Sequence, residues 1–174
     1  MLLEGKNINL RTVEISDALF VLELRKDATK NKHLSKVDTT LEAQEKWIVD
    51  YKKREKSRKE YYFVIEDKEK QNVGLVRVYD FIGQSFCWGS WIIKDSAPRS
   101  AAIESALCIY EFAFYNLGFM KSHFDVRKEN QKVLAFHKRF GAVIVGESDI
   151  DFYFEYSLED YQRIKQKYKK YLPN

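Results

Sequence analysis

The chain has 174 residues, of which 45% are apolar, 32% charged and 15% aromatic, with a formal net charge of +4. That length and apolar fraction suit one ordinary domain with a sizeable core and exclude a disordered chain. Seven Gly and two Pro exclude collagen-like, linker-rich and low-complexity classes, and the mild positive charge permits an anionic ligand without demanding nucleic acid.

No run approaches ~18 apolar residues, so no membrane span is expected. Residues 1–6, MLLEGK, lack the apolar stretch of a secretory signal. Cys87 and Cys108 have no CxxC partner, and this pattern suits a reduced, cytoplasmic protein. No internal repeat or linker divides the chain.

Residues 8–13 alternate apolar and polar and read as a first strand. Ser16 is expected to cap a helix through Leu19, Leu22 and Leu24, with Asp17 in its first turn. Residues 27–37 read as irregular, with an exposed His33. Thr40 caps a second helix with Trp47, Ile48 and Tyr51 on one face and a solvated end over 52–60. Three runs, 61–66, 73–80 and 85–93, separated by short polar turns, read as an antiparallel meander. A long helix is expected over 98–116, with Ile103, Leu107, Tyr110, Phe114 and Leu117 at helical period and Gly118 at its C-terminal end. A strand over 122–126 follows, then a helix over 130–140 stopped at Gly141. Strands over 143–146 and 151–156 and a basic, Tyr-studded helix over 158–171 complete the chain. Helices separate strands only in part of the sequence. The expected fold is therefore a single mixed α/β domain over residues 1–174, with a mostly antiparallel sheet of about seven strands flanked by helices.

Two segments carry candidate chemistry. The first runs from the third meander strand through Ala97, Pro98, Arg99, Ser100, Ala101 and Ala102 into the long helix. Pro98 suits a first helical turn, the small residues leave backbone amides approachable, and Arg99 adds charge, so the segment reads as an anion site or as an ordinary strand-to-helix connection. The second is the helix from Asn130, where Val133, His137 and Phe140 share its inward face. His137 there reads as a core histidine bonded to a carbonyl, with a general acid or base as the alternative. Asp80 and Glu66 read as solvated turn carboxylates. His123 shares a strand face with Asp125.

The order of these elements resembles the GNAT superfamily of acetyl-CoA-dependent N-acetyltransferases over almost the whole chain. INLRTVEISDA (8–18) is similar to the opening of the branch that includes ribosomal-protein alanine acetyltransferases. RKENQKVLAFHKRFGAVIVGE (127–147) resembles the family's Asn-to-Gly-Phe segment. The family's pyrophosphate motif, Gln/Arg-x-x-Gly-x-Gly/Ala, falls on residues 97–102. Only Ala102 fits it, with Ala97 in place of Gln/Arg and Ser100 in place of Gly.

The resemblance implies acetyl-CoA as co-substrate, no metal, and no nucleic-acid or membrane partner, in a monomer or homodimer. It implies pantetheine along the strand through Trp91, Ile92 and Ile93, with a bulge at Gly89. It implies phosphates at Ala97, Arg99, Ser100, Ala101 and Ala102, and Asn130 beside the cofactor. His137 stands where many members have a Tyr as general acid. An acceptor pocket is expected from Arg25, Tyr79, Phe81 and Trp88, with Lys26, Tyr51, Tyr61 and Tyr153 nearby. A ring-rich, mildly basic pocket suits an anionic amine donor. The segments RKDATKNKHLSKVDTTLEAQEKWI and EYYFVI are similar to transferases that N-acetylate nucleotide-linked amino-deoxy sugars for surface polysaccharides. A protein N-terminus is the alternative acceptor. Two further readings are an inactive acyl-CoA-binding module, motivated by the degraded glycine motif, and a nucleic-acid binder using the basic tail over 163–170.

Overall fold

A computed structural model describes residues 1–27 and 40–173. His33, and all but the first residue of the stretch expected to be irregular, lie outside the described residues. Eight strands form one open sheet: β1 (Leu2–Glu4), β2 (Ile8–Thr12), β3 (Tyr61–Asp67), β4 (Asn72–Ile82), β5 (Ser85–Ile93), β6 (Lys121–Arg127), β7 (Val143–Glu147) and β8 (Asp151–Ser157). Their spatial order is β1-β2-β3-β4-β5-β6-β8-β7. β5 and β6 are the parallel pair, and the other neighbours run antiparallel. The sheet is mixed and mostly antiparallel, as expected, but it has eight strands rather than about seven. β1 is three residues long, too short for a pattern, and joins the edge through the register Leu3↔Leu10.

Five described helices flank it: α1 (Ala18–Lys26), α2 (Leu41–Lys56), α3 (Ala101–Glu111), α4 (Gln131–Phe140) and α5 (Leu158–Tyr168). Strand alternation in β3 builds a core on each face. Phe63 and Ile65 join the α3 side, whereas Tyr62 and Val64 meet Val21, Ile48 and Tyr51 of α1 and α2. The α1/α2 face has an open end. There β6 and β8 carry Lys121, His123, Asp125, Tyr153 and Glu155, none of them buried.

The helix caps follow local chemistry. Thr40 accepts from the Ala43 amide, Asn130 from the Val133 amide, and Gly141 closes α4 at φ +100°. Ser16 does not cap α1 as expected. A short 3₁₀ turn, Ile15–Asp17, precedes the helix with Glu14 as its cap, and Asp17 folds back onto the Glu14 amide at 2.8 Å. Asp17 also takes the Arg11 guanidinium, whose third nitrogen holds Glu66 at 2.6 Å. Glu66 is therefore an ion-pair partner, not a solvated turn group. Burial works against ionising Asp17, but the Arg11 contact and the Glu14 amide outweigh it and lower its pKa. Glu60, expected in a solvated helix end, is likewise buried and paired with Arg54 at 2.5 Å and with Arg77.

The long helix begins at Ala101, after Pro98 has accepted the Ala101 amide at 2.8 Å, and its last five residues, Phe112–Asn116, widen into a π-helix. The tail helix α5 ends at Tyr168 and passes into a 3₁₀ turn, Lys169–Tyr171. Its tyrosines serve the core: Tyr161 is fully buried, and Tyr168 and Tyr171 pack against the same cluster.

Candidate active site

The central feature is a place where the sheet comes apart. β5 and β6 share two rungs, Ser85↔Lys121 and Phe86↔Ser122, and no more. Among the described residues, the β6-facing edge of β5 has no strand partner from Cys87 to Ile93. On its other edge the register against β4 shifts between Leu75↔Ile92 and Arg77↔Gly89, which is a β-bulge. The bulge expected at Gly89 is present, but Ser90 is the residue in the left-handed region, at φ +47°. Gly89 serves the site through its missing side chain. A Cβ there would stand 3.1 Å from the Tyr79 hydroxyl.

On the α3/α4 face, rings line this opening. Trp88 donates from Nε1 to the Tyr110 hydroxyl at 3.0 Å, and Trp91 donates to Ser105 Oγ at 3.1 Å, so α3 fixes both indoles. From α4, Phe136 meets Trp91 at 4.9 Å, and His137 meets Phe124 at 4.3 Å and Trp88 at 5.3 Å between centroids. His137 retains 5% exposure, and its Nδ1 is buried with no hydrogen-bond partner. Burial in this apolar cage brings its pKa down to about 3. The expected carbonyl-bonded histidine is thus absent at Nδ1. At neutral pH the ring is uncharged and holds no imidazolium proton to give to a leaving thiolate, as the family's Tyr position implied. Its Nδ1 is sealed among these rings without a protein partner among the described residues.

At the far end of β5 the loop to α3 presents free amides. Among the described residues, no acceptor takes the N–H of Arg99, Ser100, Ala102 or Ile103. Ala97 and Ala101 differ: their amides go to Lys94 and Pro98 at 3.1 and 2.8 Å. Of the expected phosphate-binding residues, these two have no amide to spare. The exposed Arg99 side chain stands at the same helix start, where partial positive charge collects. Glu104 in the first turn is turned away, accepting from the Asn7 backbone and side-chain amides at 2.7 and 2.6 Å. Asn130, the cap of α4, is half-buried and spends its carbonyl on Val133.

The expected acceptor residues do not form one pocket. Trp88 and Phe81 lie on the α3 face, Phe81 against Phe119 at 4.8 Å between centroids. Asp80, at φ +52°, and a second register shift between Tyr79 and Ile82 reverse the alternation that would have kept Phe81 beside Tyr79. Tyr51 and Tyr61 are buried in the two cores. Tyr79 lies on the α1/α2 face under the Arg77 guanidinium, 4.6 Å from its ring centroid. Desolvation and the nearby Cys87 raise its hydroxyl pKa, and burial lifts the Cys87 thiol to about 12. Arg25, at the end of α1, acts on the buried Tyr62 from this side, as does Arg77. Sequence reading missed a further group here. Ser85 Oγ lies 2.6 Å from His123 Nδ1, and Asp80 Oδ2 lies 3.1 Å from His123 Nε2. Ser85 opens a strand and carries no motif, and the hairpin together with the parallel β5–β6 pairing brings Asp80 to His123. Asp80 is solvent-exposed at the turn, as expected, and one of its carboxylate oxygens also meets the His123 ring.

A parallel strand pair that parts beside a bulge, with a strand-to-helix loop of unpaired amides, fits the backbone-like amides and the phosphates of an acyl-CoA. The orphaned His137 nitrogen in the gap agrees with a polar ligand there. Among the described residues, no group of three or more His, Cys, Asp or Glu could hold a metal ion, and no helix is long and apolar enough to cross a membrane. The architecture is that of an acyl-CoA transferase. The chain matches the acetyltransferase (GNAT) domain over residues 7–143, and it belongs to the GNAT acetyltransferase family.

Among solved structures, apo FdhC, described as a nucleotide-linked sugar GNAT, is 40% identical over 99% of both chains, with a TM-score of 0.92. The spermidine N-acetyltransferase of Vibrio cholerae, in complex with CoA and spermine, is 20% identical over 90% of this chain and 98% of its own, with a TM-score of 0.78. The ribosomal-protein-S5-alanine acetyltransferase of Vibrio fischeri is 15% identical over 92% and 98%, with a TM-score of 0.78. At those identities the last two share the fold. The search of curated proteins finds no match.

Proposed function

We propose that this acetyltransferase acylates the primary amine of a nucleotide-linked amino-deoxy sugar, with acetyl-CoA as donor. The observation that carries the reading is the 40% identity to a nucleotide-linked sugar GNAT across 99% of both chains. The donor supplies an acyl thioester. The unpaired edge of β5 from Trp91 to Ile93 is suited to hold its amide-bearing arm, and a strand amide at the bulge is suited to polarise the thioester carbonyl. The amides of Arg99, Ser100, Ala102 and Ile103, with the Arg99 side chain, hold the phosphates. Backbone amides do this work, so Ser100 substitutes for the family's glycine, at φ −84° and without strain. Asn130 holds α4 at the angle that puts His137 in the gap, where the neutral ring hydrogen-bonds rather than transfers a proton. Arg25 and Tyr79 face the acceptor side, and Trp88 and Phe81 shape the donor side of the sheet.

The test is free-thiol release from acetyl-CoA with a panel of amines: UDP-glucosamine, TDP-linked amino-deoxyhexoses, spermidine and a peptide with N-terminal alanine. A nucleotide-linked amino sugar is expected to give the highest kcat/KM. A higher value for spermidine or the peptide overturns the acceptor reading.

A further inference from the structure

The Ser85–His123–Asp80 chain stands where the two halves of the sheet begin to part. Phe86↔Ser122 is the last rung between β5 and β6, so His123 is the first residue of β6 beyond it. Its neighbour Phe124 packs on His137, and strand alternation sends His123 to the opposite face. That is the side of Tyr79 and the bulge. The His123 side chain is 27% exposed and that of Asp80 56%, so a ligand reaches these two from solvent, with the buried Ser85 behind them.

The partners decide the tautomer. A carboxylate only accepts, so His123 Nε2 carries the proton toward Asp80 and Nδ1 accepts from the Ser85 hydroxyl. If the ring takes a second proton, both nitrogens donate, and the Asp80 carboxylate and the Ser85 oxygen accept. Every hydrogen bond survives protonation, and the new charge lies beside a carboxylate. Asp80 is held at φ +52°, which a non-glycine residue rarely adopts, and this turn of the hairpin aims its carboxylate at the ring.

We infer that His123 is the general base of the transfer, with Asp80 and Ser85 as positioning residues. An N–H bond of the acceptor's ammonium group breaks. Its proton passes to His123 Nδ1, and the Ser85 hydroxyl turns from donor to acceptor and keeps its own proton. The neutral nitrogen keeps its electron pair and forms the C–N bond with the acyl carbon. The C–S bond breaks with its electrons left on sulfur, where the second N–H proton of the attacking nitrogen ends. The imidazolium returns its proton to solvent. This step rests on acylation of an amine, whichever amine that is.

The groups facing His123 are Asp80 and Ser85 from the hairpin, Tyr79 and Cys87 beside them, Lys121 and Asp125 on its own strand, and Glu155. Glu155 is its cross-strand partner on β8 and is held by Lys121 at 2.8 Å.

The experiment is the pH profile of kcat/KM, from about pH 6 to about pH 9, for wild type, His123→Gln, Asp80→Asn and Ser85→Ala, using the best amine of the panel above. His123→Gln keeps polar contacts but takes no proton. It is expected to lose ~100-fold near neutrality and to recover as pH approaches the acceptor amine's own pKa. Asp80→Asn is expected to move the acid limb with a smaller loss. A folded His123→Gln with the wild-type profile, or with one equal loss at every pH, overturns the proposal. If that variant does not fold, unchanged profiles in both Asp80→Asn and Ser85→Ala overturn it. An active wild type with indifferent variants leaves the acceptor reading standing. A wild type that acylates nothing in the panel removes both.

Discussion

His137 shows how strongly one site can be altered by what packs on it. Solvated, its imidazole would titrate near 6.5; caged by rings, it titrates at about 3. Between those values the unfolded chain binds a proton that the folded one does not. Stability is therefore whole above pH 6.5 and falls as the pH drops toward 3, by up to about 1.4 kcal/mol per unit. Urea midpoints measured across that window are expected to decline on acidification. His137→Leu should remove part of the slope, and a variant as acid-sensitive as wild type would show that the ring is not the cause. For activity, His137→Ala is expected to lower turnover at least ~tenfold in a folded protein, as lost positioning in the gap would. The acid limb of the rate profile should survive in that variant, since the His137 ring stays neutral throughout that pH range.

The elements β5 and α4 depend on glycine in two different ways. At Gly141 the backbone itself demands it: φ is +100°, and a Cβ would stand 2.9 Å from Ile164. Gly141→Ala is expected to cost about 1–3 kcal/mol, seen as a fall of several degrees in Tm. At Gly89 the backbone is outside the left-handed region, and the nearest atoms to a Cβ would be the Tyr79 hydroxyl at 3.1 Å and its ring at 3.7 Å. Gly89→Ala is expected to leave Tm almost unchanged while displacing Tyr79 and raising KM for the amine. A large loss of Tm would mean that the bulge, rather than Tyr79, needs this glycine. Most elements were readable as periodic patterns, because buried faces repeat at two or 3.6 residues. The exceptions have local causes: β1 is too short, and Ile15–Asp17 closes as a 3₁₀ turn, with Asp17 accepting the Glu14 amide, before α1 begins. Glu60 looked solvated in a charged run, but two arginines from different elements enclose it.

For the whole molecule, the two-rung junction between β5 and β6 divides the sheet into a five-stranded and a three-stranded part. A ligand seated in the gap would join edges that the chain leaves unpaired. Acetyl-CoA at about 100 times its Kd is expected to add about 2.7 kcal/mol to stability. Thermal shift measures this, and amide exchange in β5 and β6 should slow with it. No shift at millimolar CoA or acetyl-CoA would count against the donor site. Reversing the charge with Arg99→Glu should weaken CoA binding several-fold while leaving Tm of the unliganded protein unchanged, as expected of an exposed side chain.

The sequence by itself determined the fold class, the order of the elements apart from β1, the cap at Thr40, the helix start at Asn130 with its stop at Gly141, and the inward face of α4. All of these follow from short-range periodicity and local hydrogen bonding. It also marked the strand-to-helix loop over 97–102, where the structure leaves amides unpaired among the described residues, and the bulge at Gly89. Only the tertiary structure decided which residues share a face of the sheet. Trp88 and Tyr79 looked like one pocket and lie on opposite sides, because strand alternation separates neighbours that composition groups together. Ser85, His123 and Asp80 looked unrelated and lie within hydrogen-bond reach, because a hairpin and a parallel crossover bring them together. The low glycine count follows the same division. Ser100 can stand in for glycine because its backbone is unstrained there, which a residue count does not reveal.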